Sequence, residues 1–292
     1  MPDKKVVLGL LVPIVVIGIV VYQTTYGAGG RRVIAFCGSA SMPALEEAAH
    51  AFEERTGMEI ELHFGGSGGM LSSMEMSKSG DLYIPGSPDY MARAIEHGVV
   101  RPETMRRIAY LVPAIIVQEG NPKNITCLDD LARSNVTMGI GDPESVCVGG
   151  YAVELLEHNG LWENVSGNIV VHAESCSKTA ALVTLRTVDA TIGWRVFERW
   201  NPDKTDVVFI KPEQIPRLSY VPAAVSVYAE NQKGAQSFLD FLVSREGQMI
   251  FGKWGYIATE AEAREYAPWA MVPELPSGSS TLAVSKSRVT FC

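Results

Sequence analysis

Two loops in this chain combine hydroxyls with bare backbone and carry no charge. Gly38-Ser39-Ala40-Ser41 follows the apolar run 33–36, and Gly65-Gly66-Ser67-Gly68-Gly69 follows the run 59–64; each then opens into a helix-forming stretch. A helix amino end presents unpaired N–H groups and a partial positive charge, so it binds an anion without a cationic side chain. Ser39 and Ser67 add hydroxyl donors, and the glycines around Ser67 let the backbone fold into a nest of N–H groups. A Ser before a helix is more often an N-cap, and Pro43 just inside the first helix fits ordinary capping. One such loop would say little; several in one chain point to an anion.

Other chemistries meet obstacles. Gly65-Gly66-Ser67-Gly68-Gly69 satisfies G-x-S-x-G on a strand–turn–helix, and His97, His158 and His172 lie downstream as triad candidates. A Ser67-dependent serine hydrolase is therefore the rival from another class, although too little chain precedes Ser67 for the strands and oxyanion loop that lead into such an elbow. Walker-type phosphate binding fails because no Gly-Lys-Ser/Thr follows any loop. Asp142, Glu144 and Glu174 sit in loops where carboxylates usually cap helices, and no His stands at metal-ligand spacing with them. No cofactor is expected.

The elements that must position these loops repeat one unit: a short β-branched run, a Gly, Ser or Pro loop, and an amphipathic helix. This is the pattern of an α/β fold with largely parallel sheets, in which ligands bind where strand ends meet helix starts. The unit restarts at 136–140, which leads to Gly141-Asp142-Pro143-Glu144 and a helix over 151–158. It does so again at 169–172, which leads to Ala173-Glu174-Ser175-Cys176-Ser177 and a helix over 179–186; 190–194 forms a further strand ending at Trp194. Segments 110–117 and 220–227 resemble each other, each extended with an internal Pro, and read as edge or crossover strands. The simplest topology has residues 112–222 as a second lobe inserted into a first lobe of 31–111 and 223–262, with both crossings as hinge strands. Residues 263–292 are rich in Pro and Ser and are expected to form a mobile tail.

Bulk composition fits this picture. The chain has 292 residues, 47% hydrophobic, enough for two cored lobes. Asp and Glu number 33 against 25 Lys and Arg, with no basic stripe, which argues against nucleic acid. Lys4 and Lys5 precede an apolar stretch at 6–22, and 23–30 is polar and Gly-rich, the order of a secretory leader. Residues 1–30 therefore read as a signal peptide or a membrane anchor, placing the rest in the periplasm or elsewhere outside the cytoplasm. Five cysteines (Cys37, Cys127, Cys147, Cys176 and Cys292) lack C-x-x-C spacing, so after export a disulfide is considered before a metal.

Over about 32–257 the residues resemble the periplasmic molybdate-binding proteins of ABC importers, within the type II periplasmic binding-protein fold. Gly38-Ser39-Ala40-Ser41-Met42-Pro43 is similar to the Gly-Ser-x-Ser-x-Pro of the tungstate and molybdate branch. Phe64-Gly65-Gly66-Ser67-Gly68 is similar to Phe-Ala-Gly-Ser-Gly, and Gly80-Asp81-Leu82-Tyr83-Ile84 to Ala-Asp-(Val/Leu)-(Phe/Tyr)-Ile. The most specific match is Gly141-Asp142-Pro143-Glu144 with Gly149 and Tyr151. The resemblance implies Ser39 and Ser67 as hydroxyl donors to molybdate or tungstate, and Val148 and Cys176 as backbone donors. Trp194 falls at the family's Tyr position, and Cys147 replaces the usual Pro. It further implies no enzyme activity, a monomer, and delivery of the anion to importer permease subunits. Sulfate or an organic acid stacked on Trp194 are the alternatives as ligand. Cys147 and Cys176, both placed beside the anion by the resemblance, could be two buried thiols, a disulfide, or, with Cys37, a grip on a thiophilic ligand.

Overall fold

The computed structural model describes residues 32–275. The apolar run 6–22 and Cys292 lie outside the described residues. In chain order the first part comprises β1 (Arg32–Gly38), α1 (Met42–Thr56), β2 (Glu59–Gly65), α2 (Ser67–Ser77), β3 (Leu82–Ile84), α3 (Pro88–Glu96) and β4 (Arg106–Leu111). Then come β5 (Pro113–Gln118), β6 (Met138–Gly141), α4 (Cys147–His158), α5 (Trp162–Val165), β7 (Ile169–Ala173), α6 (Cys176–Thr184), β8 (Ala190–Trp194), α7 (Val196–Trp200) and β9 (Thr205–Val208). The chain ends with β10 (Ser219–Val225), α8 (Gln232–Leu242), α9 (Arg245–Lys253) and α10 (Glu260–Tyr266).

Two five-stranded mixed sheets result, ordered β2-β1-β3-β10-β4 and β7-β6-β8-β5-β9. Each holds three parallel strands whose middle member is the first in sequence, so the chain winds outward and then inward from β1 and from β6. A topological switch point therefore lies at the carboxyl ends of β1 and β3 in one sheet and of β6 and β8 in the other, where open α/β sheets place ligands. The arrangement is the type II periplasmic binding-protein fold.

Helices form where apolar spacing gives them a face to bury. Leu45, Ala48 and Phe52 of α1 are buried, and Phe52 meets Phe238 and Phe241 of α8 at ring-centroid distances of 5.2 and 5.5 Å. Burial of each such ring stabilises by about 1.5–3 kcal/mol. Gly57, at φ 68°, stops α1 in the left-handed conformation that favours glycine.

Two expectations need correction. The segments 110–117 and 220–227 are where the chain crosses between the sheets, but apart from Tyr110 and Leu111, which end the edge strand β4, they are not at an edge: β10 lies between β3 and β4, and β5 between β8 and β9. Pro222 is accommodated by a register shift against β4 between Val221 and Pro222, and Pro113 opens β5, so neither removes a donor from a regular ladder. Residues 263–275 are also not a loose tail. α10 is held by a capping box on Thr259, Ala263, Ala267 and Ala270 are buried, and Met271 exchanges backbone hydrogen bonds with Pro216 and Leu218. Small alanines on one face let this segment lie flat on the second core, which the Pro and Ser content hid.

Asp81 fastens the first sheet to α8. Its buried carboxylate accepts from Ile34 N–H at 2.8 Å and from Asn231 N–H at 2.8 Å. Asp81→Ala removes the acceptor that both part-buried amides share and should lower stability by about 3 kcal/mol, read as a lower urea midpoint at unchanged slope; a shift under about 0.5 kcal/mol would show that the fastening is dispensable.

Candidate anion-binding site between the sheets

Six loops meet where the carboxyl ends of the two sets of parallel strands face each other. The first sheet contributes Ser39-Ala40-Ser41 after β1, Gly66-Ser67 after β2 and Pro85-Gly86-Ser87 after β3. The second contributes 142–146 after β6, Glu174-Ser175 after β7 and Trp194 at the end of β8. Four helices, α1, α2, α4 and α6, point their amino ends inward. Of these, only α6 has a side-chain cap, Ser175 Oγ accepting from Lys178 N–H at 3.2 Å. The uncapped first turns keep their N–H groups for another acceptor.

The two sheets touch through this site. Ser39 Oγ accepts from Ser177 N–H at 3.0 Å, Gly68 N–H donates to Ser145 O at 3.1 Å, and Tyr90 Oη donates to Glu144 O at 2.9 Å. Gly66 is required for this approach, because a Cβ there would stand 2.6 Å from Glu174 O across the cleft. Within the second sheet, a Cβ on Gly149 would fall 2.1 Å from Gly141 O, so α4 rests directly on the end of β6. The lobes are closed on each other.

Of the residues expected from sequence, Ser39 and Ser67 are both buried in this contact. Ser67 Oγ accepts from Gly86 N–H at 3.1 Å, and Tyr83 Oη holds the Ser67 carbonyl at 2.8 Å. Val148 and Cys176 are buried in the first turns of α4 and α6, where their amides have no i−4 acceptor. Trp194 is fully buried and packs edge-to-face on Tyr151 at 5.0 Å, with its indole N–H lacking a protein partner. Cys147 and Cys176 are thiols in contact, Sγ to Sγ 3.4 Å, and no bond joins them. The partner thiol first, and burial second, push the Cys147 pKa well above the ordinary thiol value, so Cys147 is neutral in the closed site. Cys37 is buried at the end of β1, where desolvation also pushes its thiol up, and its sulfur contacts its own strand at Ala35 O. Among the described residues, no cluster of three or more His, Cys, Asp or Glu could hold a metal ion.

Sequence reasoning missed several participants. Ser41 and Ser87 are buried in the β1 and β3 loops with hydroxyls that lack a protein partner. Ser41 was visible in the Gly-Ser-Ala-Ser run, and Ser87 as a Ser before a helix-opening Pro. Ser177 and Tyr90 act across the cleft, which no local pattern reveals. Arg217, just before β10, donates to Asp89 of α3 at 2.6 Å and Glu154 of α4 at 2.5 Å while lying over the Tyr151 ring at 3.9 Å. It thus holds an acid from each lobe. Two openings flank the seat: a groove of about 490 Å³ lined by Met42, Phe64, Gly66, Ser177 and Lys178, and a smaller one of about 190 Å³ that includes Arg93, Cys147 and Arg217.

The hydrolase alternative finds no base. Ser67 Oγ accepts from a backbone amide, His97 pairs with Glu75 at the surface, and among the described residues neither His158 nor His172, both exposed, hydrogen-bonds to Ser67. Arg217→Met removes both arms of the cross-lobe contact and should open the unliganded protein, raising its radius of gyration in small-angle X-ray scattering. Lys253→Met, whose pair with Glu47 lies within the first lobe, should leave it unchanged, and equal radii for all three proteins would rule out a latch.

Comparison with known proteins agrees with this geometry. The molybdate-binding protein ModA of Rhodobacter capsulatus is 21% identical over 79% of this chain and 89% of its own length. The structure of the Azotobacter vinelandii periplasmic molybdate-binding protein superposes with a TM-score of 0.70 at 14% identity, covering 78% of this chain and all of that one. The sulfate-binding protein SubI of Mycobacterium tuberculosis does so with a TM-score of 0.67 at 17% identity, covering 83% and 92%. Residues 33–257 match the model of the bacterial extracellular solute-binding proteins, and the chain belongs to that family, whose members are binding proteins for ABC transporters and not enzymes.

Proposed function

We propose that the protein captures a fully ionised tetrahedral oxyanion outside the cytoplasm, molybdate or tungstate foremost, and hands it to the permease subunits of an ABC importer. The observation that carries this reading is the placing of the Ser39 and Ser67 hydroxyls opposite the uncapped amino end of α4 and the first turn of α6. A site dominated by backbone N–H donors favours an anion with no proton of its own, since a bound O–H adds a further donor where donors already outnumber acceptors. At neutral pH this selects molybdate, tungstate or sulfate over phosphate. Relatives named for molybdate support the first, and the likeness to a sulfate-binding protein keeps sulfate as the nearest competitor. Binding would exchange protein acceptors for ligand oxygens and hold the lobes shut, a hinge closure of the kind solute-binding proteins use. No cofactor enters this scheme, and one chain supplies the whole site.

A second reading, an anion with an organic body, is favoured by the groove of about 490 Å³ and its Lys178. That volume suits a small organic ligand. The test is a thermal-shift screen of the protein from Arg31 onward, because a ligand that binds only the folded state raises its melting temperature. Molybdate and tungstate should raise it and phosphate should not; Ser39→Ala and Ser67→Ala should each weaken binding about tenfold or more, the loss of one hydrogen bond to a charged group. A response confined to organic phosphates or carboxylates would replace the oxyanion reading with the second.

A further inference from the structure

Cys147 and Cys176 occupy matching places. Each is the first residue of a helix, α4 or α6, that follows one of two neighbouring parallel strands, β6 or β7. Their sulfurs are 3.4 Å apart and both residues are buried. The Cys147 sulfur also crosses toward the first lobe: a Cβ built on Gly86 would stand 2.7 Å from that sulfur, 2.7 Å from Ala40 Cβ and 3.7 Å from Ser67 Oγ. The sulfur thus lies against the Gly86 and Ala40 face of the first lobe, on the side where Ser67 presents its hydroxyl. A cysteine sulfur therefore stands in the cleft beside the loops attributed to the anion.

We propose that Cys147 and Cys176 form a dithiol modification site, that the closed dithiol seen here obstructs the anion seat, and that oxidation to a Cys147–Cys176 disulfide clears it. This rests on the oxyanion reading above. An S–S bond, at about 2.0 Å, is shorter than the present contact. Forming it draws the Cys147 sulfur toward Cys176 and away from the Gly86 and Ala40 face of the first lobe, which frees the space in front of the Ser67 hydroxyl. The bridge also ties the first turns of α4 and α6 together, fixing the spacing of the amides that face the ligand, which lowers the ordering cost of binding.

The oxidant is a protein disulfide of the thiol–disulfide oxidoreductase class, outside the cytoplasm. One cysteine, as thiolate, attacks the oxidant's disulfide and expels one of its sulfurs. The second cysteine then attacks the mixed disulfide and expels the other. Two electrons and two protons pass from the Cys147 and Cys176 thiols to the oxidant, which leaves as a dithiol. Burial and the neighbouring thiol disfavour the Cys147 thiolate in the closed form, so the exchange takes place when the lobes part, and a ligand that holds them shut slows it. Cys37 has no part in this step, its sulfur lying against Ala35 O.

The experiment uses the protein from Arg31 onward, treated with oxidised glutathione or with reductant, then alkylated and weighed intact. The oxidised sample should take up two fewer alkyl groups, with peptides bearing Cys147 and Cys176 linked. Molybdate titrations should then show the oxidised form binding about tenfold more tightly than the reduced form. Cys176→Ala should abolish the redox response, and Cys147→Ala should bind like the oxidised wild type under either condition. Full alkylation after oxidation, a link to another cysteine, or equal affinities of the two forms would each overturn the proposal. The mass measurement needs no ligand. If neither form binds molybdate, tungstate or sulfate, the oxyanion reading falls and the clearing of the seat with it, while the bridge stands or falls on the mass alone.

Discussion

Four helix amino ends converge between the two sheets, each carrying roughly half a positive charge on unpaired N–H groups, and the rest of the site is arranged around supplying them with acceptors. Like partial charges facing each other across a narrow gap oppose closure. In the structure protein atoms act as acceptors across the gap: Ser39 Oγ for Ser177 N–H and Ser145 O for Gly68 N–H. A free tetrahedral oxyanion offers four acceptor atoms to the same donors and carries the opposite charge, so the electrostatic cost of closure becomes the affinity for the ligand. No lysine or arginine is needed at the centre, and the cations flanking it, Lys178 and Arg217, are each paired with carboxylates.

The topology makes this convergence possible. In both sheets the first strand of the parallel trio lies in the middle, so the loops that leave β1 and β3, and those that leave β6 and β8, spring from neighbouring points. Small residues then bring backbone to backbone: Gly66 against Glu174, Gly149 against Gly141. A side chain at Gly66 would meet Glu174 O across the cleft, and one at Gly149 would push α4 off the end of β6 within the second lobe. Arg217 adds a reversible element at the rim, since it satisfies an acid of each lobe only when the lobes are together.

Much of this was legible in the sequence because the local signals and the fold agree. β-Branched runs that end in Gly and Ser mark strand ends, and Ser39 and Ser67 were identifiable as the loop hydroxyls. The positions of α2 and α6 were off by about three residues, since both helices begin on the very residues, Ser67 and Cys176, that read as loop. What the sequence could not display were pairings between distant segments. Ser177 serves Ser39 from 138 residues away, and Tyr90 reaches Glu144 across the cleft. Pro222 misled because a register shift lets an interior strand carry a proline, and the alanines that seat 263–270 resembled featureless linker.

Cys147 and Trp194 are the two positions where this chain departs from the pattern its loops otherwise follow, and the structure couples them. Tyr151, one turn after Cys147 on α4, is the ring on which Trp194 packs, while its other face meets Arg217. A shift of the first turn of α4 therefore moves the seat's thiol, the indole N–H that lacks a protein partner, and the cross-lobe arginine together. Such a helix behaves as one rigid element with several contacts at once. A ligand bound at its amino end would press on the contacts at its sides, so on the oxyanion reading the chemical state of one sulfur would reach both the donors in that first turn and the contact between the lobes.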